Sequence, residues 1–364
     1  MSADDLDRLV ERWVRPQVRA ASAYQVPDPA GMIKLDAMEN PYTWPEPLRE
    51  AWTRLLRGIH VNRYPDPHAH GLAQALRAAM GIPEAMGLLL GNGSDEIIQM
   101  LAMTVGGPDR TLLSVEPGFV MYRLIAGFTG MDYEGVPLRA VDFSLDVETL
   151  VDVIHRARPA VVFLAVPNNP TGNCFASADI VRLIGSAPGL VVIDEAYAPF
   201  TDTSFLGRLG EFDNLLVMRT LSKMGLAGLR LGLLAGPPAW ITEIDKTRLP
   251  YNINCLTQAS AAFALDHKSV LDEQTERVRQ DRTALYEALL DQPGVTPFPS
   301  EANFILFRTA GASSVFEGLK ARGVLIKNLD GAHPLLRDCL RVTVGTAEEN
   351  AAFVEALAAE IDAR

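Results

Sequence analysis

Residues 215–236, LLVMRTLSKMGLAGLRLGLLAG, hold one lysine, Lys223, between two apolar runs. Thr220 and Ser222 bring hydroxyls just before it, and Arg230 follows within the same stretch. Both runs have the length and aliphatic content of buried strands, so Lys223 falls on the connection between them. A lone ammonium among apolar neighbours is costly to bury. Lys223 is therefore either a surface-loop residue or a lysine whose charge is removed by chemistry. VPNNPTG at residues 166–172 and VVIDEAY at residues 191–197 favour the second reading, that of an amine that condenses with a carbonyl.

Outward from this stretch the chain keeps one rhythm. LLLGNGSDEIIQMLAMTV reads as a strand, a glycine turn and an amphipathic helix, and TLLSVEP, AVVFLAVP and GLVVIDEA read as further buried strands. Helical stretches over residues 146–158 and 177–186 lie between them. Alternating strands and helices with unbroken apolar strand runs predict an α/β fold whose mostly parallel sheet is covered on both faces. Residues 1–45, interrupted by prolines, read as an arm with an extended piece at 33–36, and residues 46–255 form the large domain. A long helix over 256–290 then leads to ANFILFRT, a helix near 313–322, GVLIKN, CLRVTVGT and a closing helix, an α+β unit within residues 256–364.

Composition bounds the function. With 364 residues, 48% hydrophobic and 21% charged, the chain is long enough for a large and a small core. No run of about 18 uncharged apolar residues occurs and the first fifteen residues are rich in charge, so neither a spanning helix nor a signal peptide is expected and the location expected is cytoplasmic. A net charge of −12 disfavours nucleic acid and anionic membranes as partners, so an anionic ligand must meet locally placed cations. Cys174, Cys255 and Cys339 lack CxxC spacing and read as reduced thiols; His68 and His70 read as solvated loop residues, and no metal site is expected.

Asp194 ends the apolar strand VVI, where open α/β sheets present their ligands. VVIDEA also suits a nucleotide hydrolase, but the chain has no GxxxxGK[ST] loop to hold the phosphates. GNGSDE offers a helix N-terminus for an anion at Gly93, Ser94 and Asp95; it serves equally well as a helix cap formed by Ser94 or Asp95 with no ligand.

With these segments the chain resembles the fold type I pyridoxal-phosphate aminotransferases, and within them the histidinol-phosphate aminotransferases. RPQVRAASAYQVP, KLDAMENPY, NRYPDP, GNGSDE, PGFVMYR, PNNPTG, DEAY, RTLSK, LAGLRLG, EANFILFR and CLRVTVGT follow in that family's order. The resemblance implies a large domain with a mostly parallel seven-stranded sheet between helices, a smaller α+β domain joined by the N-terminal arm, and an obligate homodimer. It implies pyridoxal 5'-phosphate as cofactor. Lys223 then binds the cofactor aldehyde and moves protons, Asp194 holds the pyridine nitrogen, and Asn169 and Tyr197 reach the ring oxygen. Phe119 stacks on the ring; Gly93, Ser94, Asp95, Thr220, Ser222 and Arg230 hold the phosphate, with Tyr64 reaching it from the partner subunit.

The same resemblance implies transamination between L-histidinol phosphate and 2-oxoglutarate, giving imidazole acetol phosphate and L-glutamate, in histidine biosynthesis. Arg341 matches the arginine that meets the substrate's anionic group, and its planar fork suits a carboxylate or a phosphate. Tyr24 matches a position over the substrate phosphate, and Asn40 one in the stretch over the substrate. Three departures stand out. The loop KMGLAGLR is one residue shorter than the form common in the family, Phe119 stands where a tyrosine is common, and Lys327 stands where an arginine is expected for the substrate phosphate. The last keeps open an aromatic amino acid aminotransferase, or a phosphoamino-acid decarboxylase of the same fold.

Overall fold

In the computed structural model, which describes residues 3–23 and 26–363, the apolar runs become strands. In chain order they are β1 (Ile33–Lys34), β2 (Gly87–Gly91), β3 (Thr111–Glu116), β4 (Asp132–Pro137), β5 (Val161–Ala165), β6 (Leu190–Asp194), β7 (Leu215–Thr220), β8 (Gly232–Gly236), β9 (Val295–Pro297), β10 (Phe304–Thr309), β11 (Val324–Leu325), β12 (Lys327–Asn328) and β13 (Cys339–Thr343). Seven make one sheet in the order β2-β8-β7-β6-β5-β3-β4. β8 runs antiparallel to β2 and β7, and the other neighbours are parallel.

Side chains alternate across a strand, so each strand feeds two cores. Val161 and Phe163 pack with Ile97, Leu101 and Ile125 on one face, and Val162 and Leu164 pack with Leu76, Ile154 and Leu183 on the other. Because both faces are dry, β5 and β6 read as unbroken apolar runs. A buried aliphatic side chain contributes roughly 1.5–3 kcal/mol over its exposed state. Truncating fully buried Leu216 to alanine would cost about 2–5 kcal/mol. The parallel arrangement also sets the site: β3, β5, β6 and β7 all end at one edge of the sheet, carrying Glu116, Ala165, Asp194 and Thr220.

A second sheet, β12-β13-β10-β9, is antiparallel. Phe304, Phe307 and Val342 pack there with Leu285, Leu319 and Phe353 from the helices Lys268–Leu290, Ala312–Ala321 and Ala347–Asp362. GVLIKN divides around buried Ile326. β11 pairs in parallel with β1, tying residues 33–34 to this part of the chain, while β12 pairs with β13 and sets Lys327 opposite Arg341.

The continuous helix expected over residues 256–290 is two helices, Cys255–Asp266 and Lys268–Leu290. His267, at φ −113° and ψ 31°, leaves the helical region, and its ring settles 4.7 Å from that of Phe263. Asp266 and His267 are weak helix formers, so local propensity gives way at the point where packing asks for a bend. The extended piece expected at 33–36 shortens to β1 because residues 36–39 turn over the sheet edge instead. The three cysteines are free thiols, and His70 lies 2.9 Å from Asp66 on the surface.

Candidate active site

At the sheet edge lies a cavity of about 370 Å³. Asp194, the last residue of β6, is buried in its wall. Its Oδ2 accepts from Tyr122 Oη at 2.7 Å and its Oδ1 from the backbone N–H of Ala196 at 3.0 Å. Burial pushes the Asp194 pKa up to about 6; the two hydrogen bonds pull it down, and the charges of Asp95 and Glu195 add to the rise. A carboxylate held this way is stabilised by a cationic partner brought into the cavity.

Lys223 lies on the 3-10 turn Ser222–Met224 that follows β7. Local chemistry makes this turn. Thr220 Oγ1 accepts from the backbone N–H of Ser222 at 3.2 Å and donates to Leu231 O at 3.1 Å, so one hydroxyl joins both arms of the loop. Lys223 Nζ is 3.4 Å from Ala37 O and 5.9 Å from the centre of the Tyr197 ring. Burial first, and then the positive charge of Arg341, bring its pKa down to about 8. A usable share of the amine is thus neutral near pH 7.

The anion end is built from backbone. Helix Ser94–Val105 opens at Gly93, whose φ of 85° is left-handed, and no side chain caps it. The alternative of Ser94 or Asp95 as a cap is therefore not what the chain adopts. An uncapped helix start presents N–H groups and the positive end of the dipole to an anion. Thr220 and Ser222 hydroxyls stand 2.9 Å apart beside it, and Arg230 Nη2 is 3.5 Å from Asp95 Oδ2. A Cβ at Gly93 would come within 2.6 Å of Arg230 Nη2, and one at Gly232 within 2.7 Å of Ser94 N. Glycine at both positions lets strand, helix start and guanidinium meet.

Ser94, Asp95, Phe119, Asn169, Asp194, Tyr197, Thr220, Ser222, Lys223 and Arg230 all line this one cavity. Asn169 Nδ2 donates to Tyr197 Oη at 3.0 Å, and Arg341 Nη1 donates to Asn169 Oδ1 at 2.6 Å. Arg341 itself lines an adjoining cavity of about 270 Å³ with Lys327; Met38, Phe119 and Asn169 border both. Asn40 is placed elsewhere, 3.3 Å from Gln274 Oε1. Tyr64 is on the surface, 80% exposed, stacked on Tyr251 at 4.4 Å. Tyr24 lies outside the described residues. An amine, a buried carboxylate, an aromatic flank and an uncapped helix start beside hydroxyls and a guanidinium suit a phosphorylated pyridine aldehyde.

A family model described as aminotransferase class I and II matches residues 30–357. The chain belongs to that family. It is 56% identical over 352 residues to histidinol-phosphate aminotransferase 2 of Nitrosococcus oceani, covering 96% of this chain and 98% of that one. It is 53% identical over 361 residues to histidinol-phosphate aminotransferase 1 of Ralstonia nicotianae, covering 98% and 96%. Among solved structures, histidinol-phosphate aminotransferase from Sinorhizobium meliloti in complex with pyridoxal-5'-phosphate shares the fold, with a TM-score of 0.86, 23% identity, and coverage of 96% and 98%.

Two parts of this aminotransferase site escape sequence reasoning. Tyr122, the donor to Asp194, reads as a core aromatic in EPGFVMYR; the available signal is its position one helical turn after Phe119. The other is the strap of Ala37, Met38 and Glu39 across the cavity. It is pinned by Thr343 Oγ1, which accepts from Met38 N–H at 2.9 Å, and by Asn303 Nδ2, which donates to Met38 O at 2.9 Å. Met38 is held at φ 54°, unusual for a residue with a long side chain.

Proposed function

We propose that this aminotransferase acts on L-histidinol phosphate and 2-oxoglutarate with pyridoxal 5'-phosphate as cofactor, giving imidazole acetol phosphate and L-glutamate, as a cytoplasmic homodimer. The observation that carries the reading is Lys223 and Asp194 facing one cavity in a chain 56% identical to a histidinol-phosphate aminotransferase over nearly its full length.

When bound, pyridoxal phosphate supplies an aldehyde carbon that takes the amino group and a ring that accepts electrons from the substrate's Cα–H bond. The chain does the rest. Lys223 would hold the cofactor through its amine and, when that amine is free, would carry the proton taken from the substrate Cα. Asp194 would serve as the carboxylate that keeps the ring nitrogen protonated, with Tyr122 fixing that carboxylate from behind. Tyr197 accepts from Asn169 and its hydroxyl lies 3.5 Å from Met38 Sδ, a weak acceptor, so its proton would be available for the ring oxygen. The uncapped start of Ser94–Val105, with Thr220, Ser222 and Arg230, would hold the cofactor phosphate.

Arg341 is the substrate cation. Its Nη1 and Nη2 bond Asn169 and Asp36 O, which aims the guanidinium between the two cavities. Glutamate brings a carboxylate and histidinol phosphate a phosphate to the same place, and a guanidinium serves either. Lys327, across the strand pair, adds a point charge to the second cavity.

The test uses the cofactor-loaded enzyme mixed separately with L-histidinol phosphate and L-phenylalanine, following the visible absorbance of the bound cofactor. Histidinol phosphate should convert it at least about tenfold faster at equal concentration, the discrimination expected when a charged contact is available to one substrate alone. Conversion by phenylalanine at an equal or greater rate would overturn the substrate assignment.

A further inference from the structure

Glu195 and Arg219 are buried charges that the roles above leave unused. Each is the chain neighbour of a cavity residue: Glu195 follows Asp194, and Arg219 precedes Thr220. They line a second cavity of about 230 Å³ with Met224, Thr275 and the mutually paired Lys268 and Asp272, and Thr220 lines both cavities. The Glu195 side chain is fully buried, and that of Arg219 is 16% exposed. Arg219 Nε and Nη2 donate to Glu195 Oε2 at 2.8 and 2.6 Å, and Ser204 Oγ donates to the same oxygen at 3.0 Å. The backbone N–H of Phe205 donates to Oε1 at 2.5 Å, and that of Glu195 donates to Met218 O at 2.8 Å. The ends of β6 and β7 are thereby fastened together from behind.

Fastening alone does not call for charge, because replacing a buried ion pair with packed apolar side chains is often neutral or stabilising. Charge does something else here. The titratable groups around Asp194 are Tyr122 from helix Val120–Thr129, Asp95 from helix Ser94–Val105, Tyr197 after β6, Lys223 and Arg230 across the cavity, and Glu195 beside it. Asp95 and Glu195 both oppose ionisation of Asp194. Arg219 sets a positive charge directly against one of the two, Glu195.

We propose that the Glu195–Arg219 pair is a positioning element of the transamination site, fixing the Asp194 carboxylate relative to the Thr220 and Ser222 hydroxyls and balancing the charge behind Asp194. The proposal rests on the reading of Asp194 and Thr220 as cofactor ligands. A net charge left behind Asp194 moves every protonation equilibrium in the cavity, and the sign of the charge sets the direction.

The experiment is a pH titration of the visible absorbance of the pyridoxal-phosphate-loaded enzyme, with the single-turnover rate on L-glutamate measured alongside. Glu195→Gln leaves an unbalanced cation and should lower the titration midpoint by about half a unit. Arg219→Met leaves an unbalanced anion and should raise it by about as much. The uncharged pair Glu195→Gln with Arg219→Gln should bring the midpoint back to the wild-type value, while the rate stays about tenfold low because the two charge-assisted bonds from Arg219 to Glu195 Oε2 are gone. A merely structural role moves both single variants the same way or not at all, and that result overturns the proposal. If Arg219→Met does not fold, the other two variants decide: a midpoint unmoved in Glu195→Gln, or still displaced in the uncharged pair, is fatal to it. Lys223→Ala is run in parallel, since turnover there would overturn the reading of the site itself, whereas failure of the pair alone leaves Lys223→Ala inactive.

Discussion

Asp194, Asn169 and Tyr197 on the inner wall of the cavity, and Arg341 bonded to Asn169 from the adjoining one, are each 6% exposed or less, and a hydrogen bond holds every one of them. On the rim the Arg230 side chain is half exposed, and Tyr64, on the surface away from the cavity lining, is 80% exposed. The inner wall is assembled by one chain before any ligand arrives, so binding spends little on ordering it. On the function proposed, these exposed groups take their partners from outside: an anion for Arg230 and the start of helix Ser94–Val105, and a second subunit for Tyr64. Losses at the wall should therefore strike the chemical step, and losses at the rim should strike retention of ligands.

Lys223→Ala tests the wall at its strongest point. Turnover should fall by about 10⁴-fold or more, because anchoring and proton transfer both depend on this amine. The cofactor should still bind, since the phosphate cradle is separate, but borohydride should no longer fix it to the chain. A reduced adduct found on another lysine would break the comparison outright.

Asp194→Asn comes next, with kcat lowered by about 10²- to 10³-fold and KM changed far less, because the carboxylate acts after substrate has bound. The same variant has a signature without cofactor. The Asp194 pKa rises from 3.8 to about 6 on folding, so the native chain binds this proton more tightly than the unfolded one. Stability from this group is full below pH 3.8 and falls as pH rises through 6. Lys223 works in the opposite sense: its pKa drops from 10.5 to about 8, so its contribution grows as pH rises from 8 toward 10.5. Thermal melts of the cofactor-free protein between pH 4 and 7 should slope downward less in Asp194→Asn than in the wild type. Parallel curves would remove the buried carboxylate from the account.

Arg341→Ala probes the seam between wall and rim, because Arg341 is buried yet reaches the second cavity. Both half-reactions should lose about 2–4 kcal/mol in kcat/KM, the cost of a charge-assisted fork removed from a desolvated place. Stopped-flow traces with L-glutamate and with histidinol phosphate check this. A loss confined to histidinol phosphate would shift the phosphate contact to Lys327.

The wall was more legible in the sequence than its supports. Lys223 stands alone between apolar runs and Asp194 closes one, so both announce themselves by polarity out of place. Tyr122 does not, since an aromatic one turn after Phe119 on an apolar helix has the pattern of core; its bond to Asp194 depends on how a helix settles on a sheet. The strap at residues 37–39 was hidden for a related reason. It is held by Thr343 and Asn303, about 300 and 265 positions away, a distance over which no local pattern carries information. Asn40 shows the limit within the strap itself: one residue beyond Glu39 the chain has turned toward Gln274. The bend at His267 was masked because helix-forming residues continue on both sides of it.

Tyr64 gives the smallest expected effect and the most direct test of the rim. Its ring stacks on Tyr251 at the surface, and among the described residues it is not one that lines the cavity. If that hydroxyl completes the phosphate cradle of a neighbouring subunit, Tyr64→Phe should weaken cofactor binding about fivefold, the loss of one hydrogen bond of roughly 1 kcal/mol, and leave kcat nearly unchanged at saturating cofactor. Mixing the two variants makes the prediction sharper. In a dimer of one Tyr64→Phe chain and one Lys223→Ala chain, the site that keeps Lys223 receives an intact Tyr64 from across the interface. At limiting cofactor such mixed dimers should turn over faster than the average of their parents. Activity no higher than that average would show that Tyr64 serves its own chain or none, and the rim would then be complete within one subunit, as the wall already is.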